Sequence, residues 1–239
     1  MNTVAEITTF ASYNEAPENQ ERIAIMRIEE YASLIAELQV DNQAFSITPG
    51  NWERQVRSSA AAQRAFDDLP RLDDGTIRIS RGMLKKFAKE GNLEKFVVAT
   101  LLWGYPPGMR GNNAESILKE LPSLAGHLTE AKKIDDWGKH YAEVVKPIHG
   151  LGLSTYSKFL YFLNSEVAGQ KALILDERII DVFNQKHWDE LVGLQKMTYN
   201  NKSKVYPEYL KRMKDVSRDV KVKPEQLELF LFSFGSVFW

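Results

Sequence analysis

A lysine and an aspartate, Lys158 and Asp176, stand eighteen residues apart, and the glycine pair Gly150-Leu151-Gly152 precedes the lysine. Glycine permits backbone dihedrals and close approaches that other residues resist. A Gly-x-Gly turn ahead of a helix leaves N–H groups pointing outward, where they can bind an anion such as a phosphate. A lysine partly removed from water can serve as an amine nucleophile. A carboxylate beside it can take its proton or stabilise positive charge as it develops. Each feature also has a plainer reading. Most glycine pairs are ordinary turns, Lys158 among Phe159, Leu160, Phe162 and Leu163 could simply snorkel, and an aspartate that opens a helix is usually its cap.

The elements that must position these residues follow from periodicity. The turn leads into an amphipathic helix with Lys158 on its second turn. The apolar run Leu173-Ile174-Leu175 ends in Asp176, which opens the next helix. Upstream, apolar residues at helical spacing begin after Pro17, at Ile23, Met26, Tyr31, Leu34, Ile35 and Leu38, behind an unpatterned lead-in over 1–16. Residues 41–50 read as a loop, 52–66 as a helix and 76–79 as a short extended piece. Ser80 caps a helix over 81–90, and 93–103 is apolar on most faces, as a central buried helix would be. Prolines and glycines over 104–111 interrupt helix. Asn113 caps a helix to about 121, and further helices are expected over 123–132 and 135–146. A polar interval spans 198–203, a basic helix begins near Pro207, and a last helix begins at Pro224. Strand signals are almost absent, so the fold class is all-α.

Composition narrows the function. The chain has 239 residues, 44% hydrophobic and 26% charged, as an ordinary globular protein has. With no cysteine it has no disulfide, thiolate zinc site or cysteine-ligated iron–sulfur cluster. His127, His140, His149 and His187 lack metal-ligand spacing, and neither a P-loop nor a dinucleotide fingerprint occurs. No cofactor or metal is expected. No apolar run reaches the ~20 residues of a membrane span, and the polar, acidic N-terminus does not read as a signal peptide, so a cytoplasmic location is expected. The net charge of −1 hides an asymmetry. Residues 1–74 hold six Lys/Arg against thirteen Asp/Glu, whereas 186–223 hold ten against five. Such a local basic patch can bind phosphates, though a solvated helix face reads the same way.

The Gly150-Leu151-Gly152 turn, Ser157-Lys158 with its apolar helix, and 173–176 together resemble the helix-hairpin-helix DNA glycosylases. The likeness is nearest to a divergent bacterial branch with the 8-oxoguanine DNA glycosylase fold. Trp103-Gly104-Tyr105-Pro106-Pro107-Gly108-Met109-Arg110-Gly111 and Glu228-Leu229-Phe230-Leu231-Phe232 extend it over roughly 95–239. The resemblance implies one two-lobed helical domain, with lobes near 17–92 and 93–239 and a helix-hairpin-helix element. It also implies base flipping and catalysis by Lys158 and Asp176. One departure stands out. The better-known families place their lysine two residues after the second hairpin glycine. That position is Ser154 here, and Lys158 follows one helical turn later on the same face. Monofunctional relatives dispense with the lysine.

The resemblance suggests further roles. Gly150, Gly152, Ser154 and His149 would meet phosphate at the hairpin, and Lys211 and Arg212 would do so from the basic segment. A β-branched residue at Gly152 would block both the turn and the phosphate approach. Arg110, Asn112 and Asn113 are candidates to fill the gap left by a flipped base. The aromatics Trp103, Tyr105, Phe230, Phe232, Phe234, Phe238 and Trp239 read first as core. Among them Trp103, Tyr105, Phe232 and Phe234 are candidates to hold the base by stacking. The expected partner of a monomeric enzyme is double-stranded DNA with a modified base, either 8-oxoguanine-like or of a phage type, in repair or anti-phage defence. The alternative is a non-catalytic helix-hairpin-helix module that binds DNA or a protein.

Overall fold

The computed structural model describes residues 26–237. The expected lead-in over 1–16, the first turns after Pro17, and Phe238 and Trp239 lie outside the described residues. The helices are α1 (Ala32–Ala36), α2 (Glu53–Val56), α3 (Ala60–Asp67), α4 (Arg81–Glu90), α5 (Leu93–Gly104), α6 (Asn113–Lys119), α7 (Leu121–Glu130), α8 (Trp137–His140), α9 (Leu153–Phe162), α10 (Glu177–Gln185), α11 (Lys202–Asp219) and α12 (Pro224–Phe234). A π-helical turn, Tyr141–Val145, continues α8. Strand β1 (Ala44–Ile47) pairs antiparallel with β2 (Ile77–Ser80). The short strands β3 (Lys133–Ile134), β4 (Glu166–Val167) and β5 (Gln170–Lys171) form a second small sheet. The fold is mostly helical, as expected.

Local chemistry explains where the elements begin. Ser80 accepts a hydrogen bond from the Met83 N–H at 3.2 Å, and Gly91 ends α4 in the left-handed conformation. Pro224 supplies the preset dihedral of a first helical turn. The run 96–103 of α5 is buried, so this helix is the central one its composition predicts.

Four expectations are corrected. The loop over 41–50 contains β1, whose partner lies thirty or more residues away, so local patterning could not reveal it. The helix over 52–66 is broken, because the Ser59 side chain accepts from the Ala62 N–H at 3.4 Å and starts α3 anew. The third concerns α9, expected to be amphipathic; it buries every residue except the partly exposed Ser154. Full burial of Phe159 alone contributes about 1.5–3 kcal/mol. Finally, α11 begins at Lys202, five residues before Pro207. A proline at that point removes the N–H that would bond the Ser203 carbonyl. The Trp137 Nε1–H donates to that carbonyl instead, at 2.6 Å, so the interruption leaves no orphaned acceptor.

One buried apolar cluster runs from Ile28 through Trp52, Phe96, Phe159 and Tyr209 to Leu231. It contains an ion pair, Arg81 with Glu228, in which Arg81 Nη1 and Nη2 donate to the two carboxylate oxygens at 2.6 and 3.2 Å. Burial alone would draw Arg81 down, but Glu228 more than offsets it, and Arg81 is held above its ordinary value. Arg81 also donates to Gln43 at 2.5 Å and lies over the rings of Trp103 and Tyr161. The pair ties α4 to α12.

Candidate active site

The turn over 146–152 joins the helix that ends at Val145 to α9. Its two glycines differ. Gly150 has φ of +82°, and a Cβ there would sit 2.7 Å from Asn113 Cα and 2.9 Å from the Asn113 carbonyl oxygen. Only glycine fits. Gly152 has φ −102° and ψ 172°, extended backbone open to any residue, and a Cβ there would meet nothing within 4 Å. The expectation that the turn itself demands Gly152 is therefore wrong. What the absent side chain leaves clear is the space over the start of α9. That helix has no side-chain cap, and its first internal bonds run from Thr155 and Tyr156 to the Gly152 carbonyl. The amides of Gly152, Leu153 and Ser154 precede them, and that of Leu153 donates to the Tyr141 hydroxyl.

A cleft of about 960 Å³ opens at this turn. One wall is the segment after α5, including Tyr105, Gly108 and Arg110. That segment is fastened from below, with Trp52 Nε1 donating to the Tyr105 carbonyl at 3.1 Å and Gln55 Nε2 to the Met109 carbonyl at 3.3 Å. The Tyr105 hydroxyl is 2.8 Å from Thr155 Oγ1 on α9. Tyr199, Asn200, Lys202 and Ser203, with Tyr141, Lys146 and Glu177, add to the lining.

Lys158 is buried, and a buried ammonium needs partners. Its Nζ donates to the Ser154 carbonyl at 2.9 Å and lies 3.2 Å from Ser154 Oγ. The Tyr105 ring covers it, with the centroid 5.5 Å from Nζ. Gly104 makes room for the stem, since a Cβ there would lie 3.1 Å from Lys158 Cδ. Ser154 and Tyr105, which contact the amine, line the cleft, whereas Lys158 and Asp176 themselves are not among its lining residues.

Asp176 is half-buried and caps α10, accepting from the Ile179 N–H at 3.2 Å. The extended segment before it is pinned by three side chains. Ser157 Oγ accepts from the Leu175 N–H at 3.1 Å, and the Tyr206 and Tyr209 hydroxyls each donate at 2.8 Å to the Leu173 and Ile174 carbonyls. Ser157 belongs to α9, so the helix that carries the lysine also fixes the approach to the aspartate. No ion pair joins Lys158 to Asp176 among the described residues. Both charges act on buried Glu228, whose carboxyl is pushed up mainly by burial, then drawn down by Arg81, with Asp176 raising it and Lys158 lowering it.

A family model described as "Putative 8-oxoguanine DNA glycosylase OGG-like protein" matches residues 38–232. The chain belongs to this family. No curated protein and no solved structure matches it.

In this member of the 8-oxoguanine glycosylase-like family, the cleft gathers many of the residues expected from sequence and leaves others apart. Gly150, Gly152, Ser154, His149, Arg110 and Tyr105 line it, and Asn113 does too. His149 is exposed, with Nδ1 3.2 Å from Ser116 Oγ. Asn112 stands at the cap position of α6 without making a side-chain cap, although Asn113 was the expected cap. Trp103 packs between Phe45 and Phe162 in the interior, and Phe232 and Phe234 lie on α12 against Arg178 and Phe230. None of these three is on the cleft wall. Lys211 and Arg212 are also off it; Arg212 Nη1 reaches the Glu190 carbonyl at 3.5 Å instead. The basic segment reaches the cleft at its other end, through Lys202, which pairs with Glu177. Tyr199 carried no sequence signal of its own, whereas Lys202 lies within the basic segment 186–223 and Lys146 four residues before Gly150. Among the described residues, no group of three or more His, Asp or Glu could hold a metal ion, and no helix is long and apolar enough to cross a membrane.

Proposed function

We propose that the chain is a DNA glycosylase that excises a modified base. The observation that carries this reading is the Lys158 amine held by Ser154, a lining residue of the cleft whose rim is a glycine turn and a helix start. In this reading the turn and its flanking helices act as a helix-hairpin-helix element. The first amides of α9, with His149 and Lys146, hold backbone phosphates of double-stranded DNA. The target nucleotide turns out of the stack, and its base enters beside Tyr105. Asp176, held by its pinned segment and its cap, stabilises positive charge developing on the sugar. Lys158, after loss of a proton, attacks C1′ as the bond to the base breaks. The base leaves with its electron pair and takes up a proton, and breaking of the C1′–O4′ bond opens the sugar ring to an imine. Hydrolysis of the resulting imine leaves an abasic site, and elimination from it nicks the strand.

The base is a damaged purine such as 8-oxoguanine or a hypermodified base of phage DNA, which makes the role repair or antiviral defence. One observation favours the rival, a non-catalytic binding module: Asp176 already has a structural task as a helix cap. Mass spectrometry of bases released from oxidised DNA and from phage DNA separates the two. Release of a free base supports the enzyme, and tight DNA binding with no base released from any substrate supports the module.

A further inference from the structure

Tyr199 is 88% exposed, the most exposed of the large apolar side chains on the described surface, yet it lines the cleft. Its loop is held in place. Asn184 clamps the Met197 backbone, donating to its carbonyl at 2.7 Å and accepting from its N–H at 2.8 Å. Asn201 accepts from the Thr198 N–H at 2.7 Å and donates to the Lys196 carbonyl at 3.0 Å. A clamped loop that holds an aromatic ring out in water gains nothing for the fold from that ring, since exposed apolar area contributes no burial.

The surroundings name a partner. Lys202 Nζ, which also pairs with the lining residue Glu177, lies 5.2 Å from the centroid of the Tyr199 ring, and Lys146 and Arg110 line the same cleft. Tyr141 adds a second ring there, and its hydroxyl is pushed up first by burial and then by Tyr199 nearby. An exposed ring among cations is the arrangement that holds an unstacked nucleobase, with the ring on the base and the cations on its phosphates. We propose that Tyr199 stacks on an extrahelical base at the mouth of the cleft. This rests on the DNA reading above and adds to it a base contact from an element distant in sequence from both Lys158 and the glycine turn.

The test uses a short duplex with 2-aminopurine in a one-nucleotide bulge, and the same duplex fully paired. The wild-type protein should bind the bulged duplex more tightly and quench its fluorescence. Tyr199→Ala, whose exposed ring leaves folding untouched, should lose about 5- to 150-fold in affinity for the bulge, the range of one base–aromatic stack. It should lose the quench and keep its affinity for the paired duplex. Tyr199→Phe should retain both, because the ring does the stacking. Equal binding and quenching by Tyr199→Ala and wild type would overturn the inference and leave the DNA reading standing. A wild-type protein that binds neither duplex would overturn the DNA reading, and this inference with it.

Discussion

The two glycines of the turn should respond to substitution in opposite ways. Gly150→Ala combines two costs. An L-residue at φ of +82° loses about 1–2 kcal/mol. A methyl 2.7 Å from Asn113 Cα is an overpacking worth about 1–3 kcal/mol more. Together these come to about 2–5 kcal/mol, which lowers Tm by about 4–20 °C for a chain of this size. Gly152→Val meets neither obstacle, and its poorer fit at a helix N-cap costs about 1 kcal/mol or less. Its methyl groups would stand over the first amides of α9. If those amides hold a phosphate, losing one charged hydrogen bond of about 1.5–3 kcal/mol weakens duplex binding about 10- to 150-fold. Thermal melting and fluorescence anisotropy at fixed salt read the two effects separately. A wild-type Tm for Gly150→Ala would refute the packing argument. Undiminished DNA binding by folded Gly152→Val would refute the role given to the helix start.

Other perturbations test the scaffold around the site. Ser157→Ala leaves the buried Leu175 N–H without its acceptor, so urea unfolding should show a loss of about 1–3 kcal/mol, and base release should slow as Asp176 shifts. Glu228→Gln removes the partner of buried Arg81 and should cost about 3–5 kcal/mol, whereas Arg81→Met with Glu228→Leu together should recover most of it. No recovery in the double variant would mean that the pair does more than satisfy itself. A third test uses pH. His140 Nε2 lies 2.6 Å from the Tyr156 hydroxyl, whose proton burial holds tightly, so the neutral imidazole accepts. Burial, then His127, draws His140 below its ordinary 6.5. The folded state thus binds fewer protons there than the unfolded state, and His140 erodes stability as pH falls below about 6.5. Melting of His140→Gln against wild type should show the variant gaining on wild type as pH falls, and a constant difference from pH 8 to pH 5 would contradict it.

Helix starts were legible wherever a cap or a proline sits beside a periodic run, as at Ser80, Asp176 and Pro224. They were missed where the signal was weaker than its surroundings. Ser59 lies within an apparently continuous pattern, and Pro207 looks like a start until Trp137 is found covering the carbonyl it frees. The short strand at Ala44 is defined by a distant partner rather than by its own four residues. The site divides similarly. Lys158, Asp176, Gly150 and Ser154 stood out because they lie close together in the chain. Tyr199 and Lys202 reach the cleft only through folding. Lys211 and Arg212 lie on a stretch of α11 off the cleft, and Trp103 packs in the interior. The pinning of 173–175 by Ser157, Tyr206 and Tyr209 needs three elements at once, which no spacing reveals.

The central claim is that Lys158 and Asp176 act on one sugar. The most direct measurement is borohydride trapping beside base release, on a substrate the wild-type protein cleaves. Attack of Lys158 on C1′ gives an imine once the ring opens, and reduction fixes it as a covalent protein–DNA adduct. Lys158→Gln should abolish the adduct. Asp176→Asn, which keeps a capping oxygen, should slow both base release and trapping by orders of magnitude while Tm changes little. A protein that releases base without ever trapping, and keeps its activity in Lys158→Gln, would remove the lysine from the chemistry. Undiminished base release by folded Asp176→Asn would contradict the account and leave Asp176 as a helix cap alone.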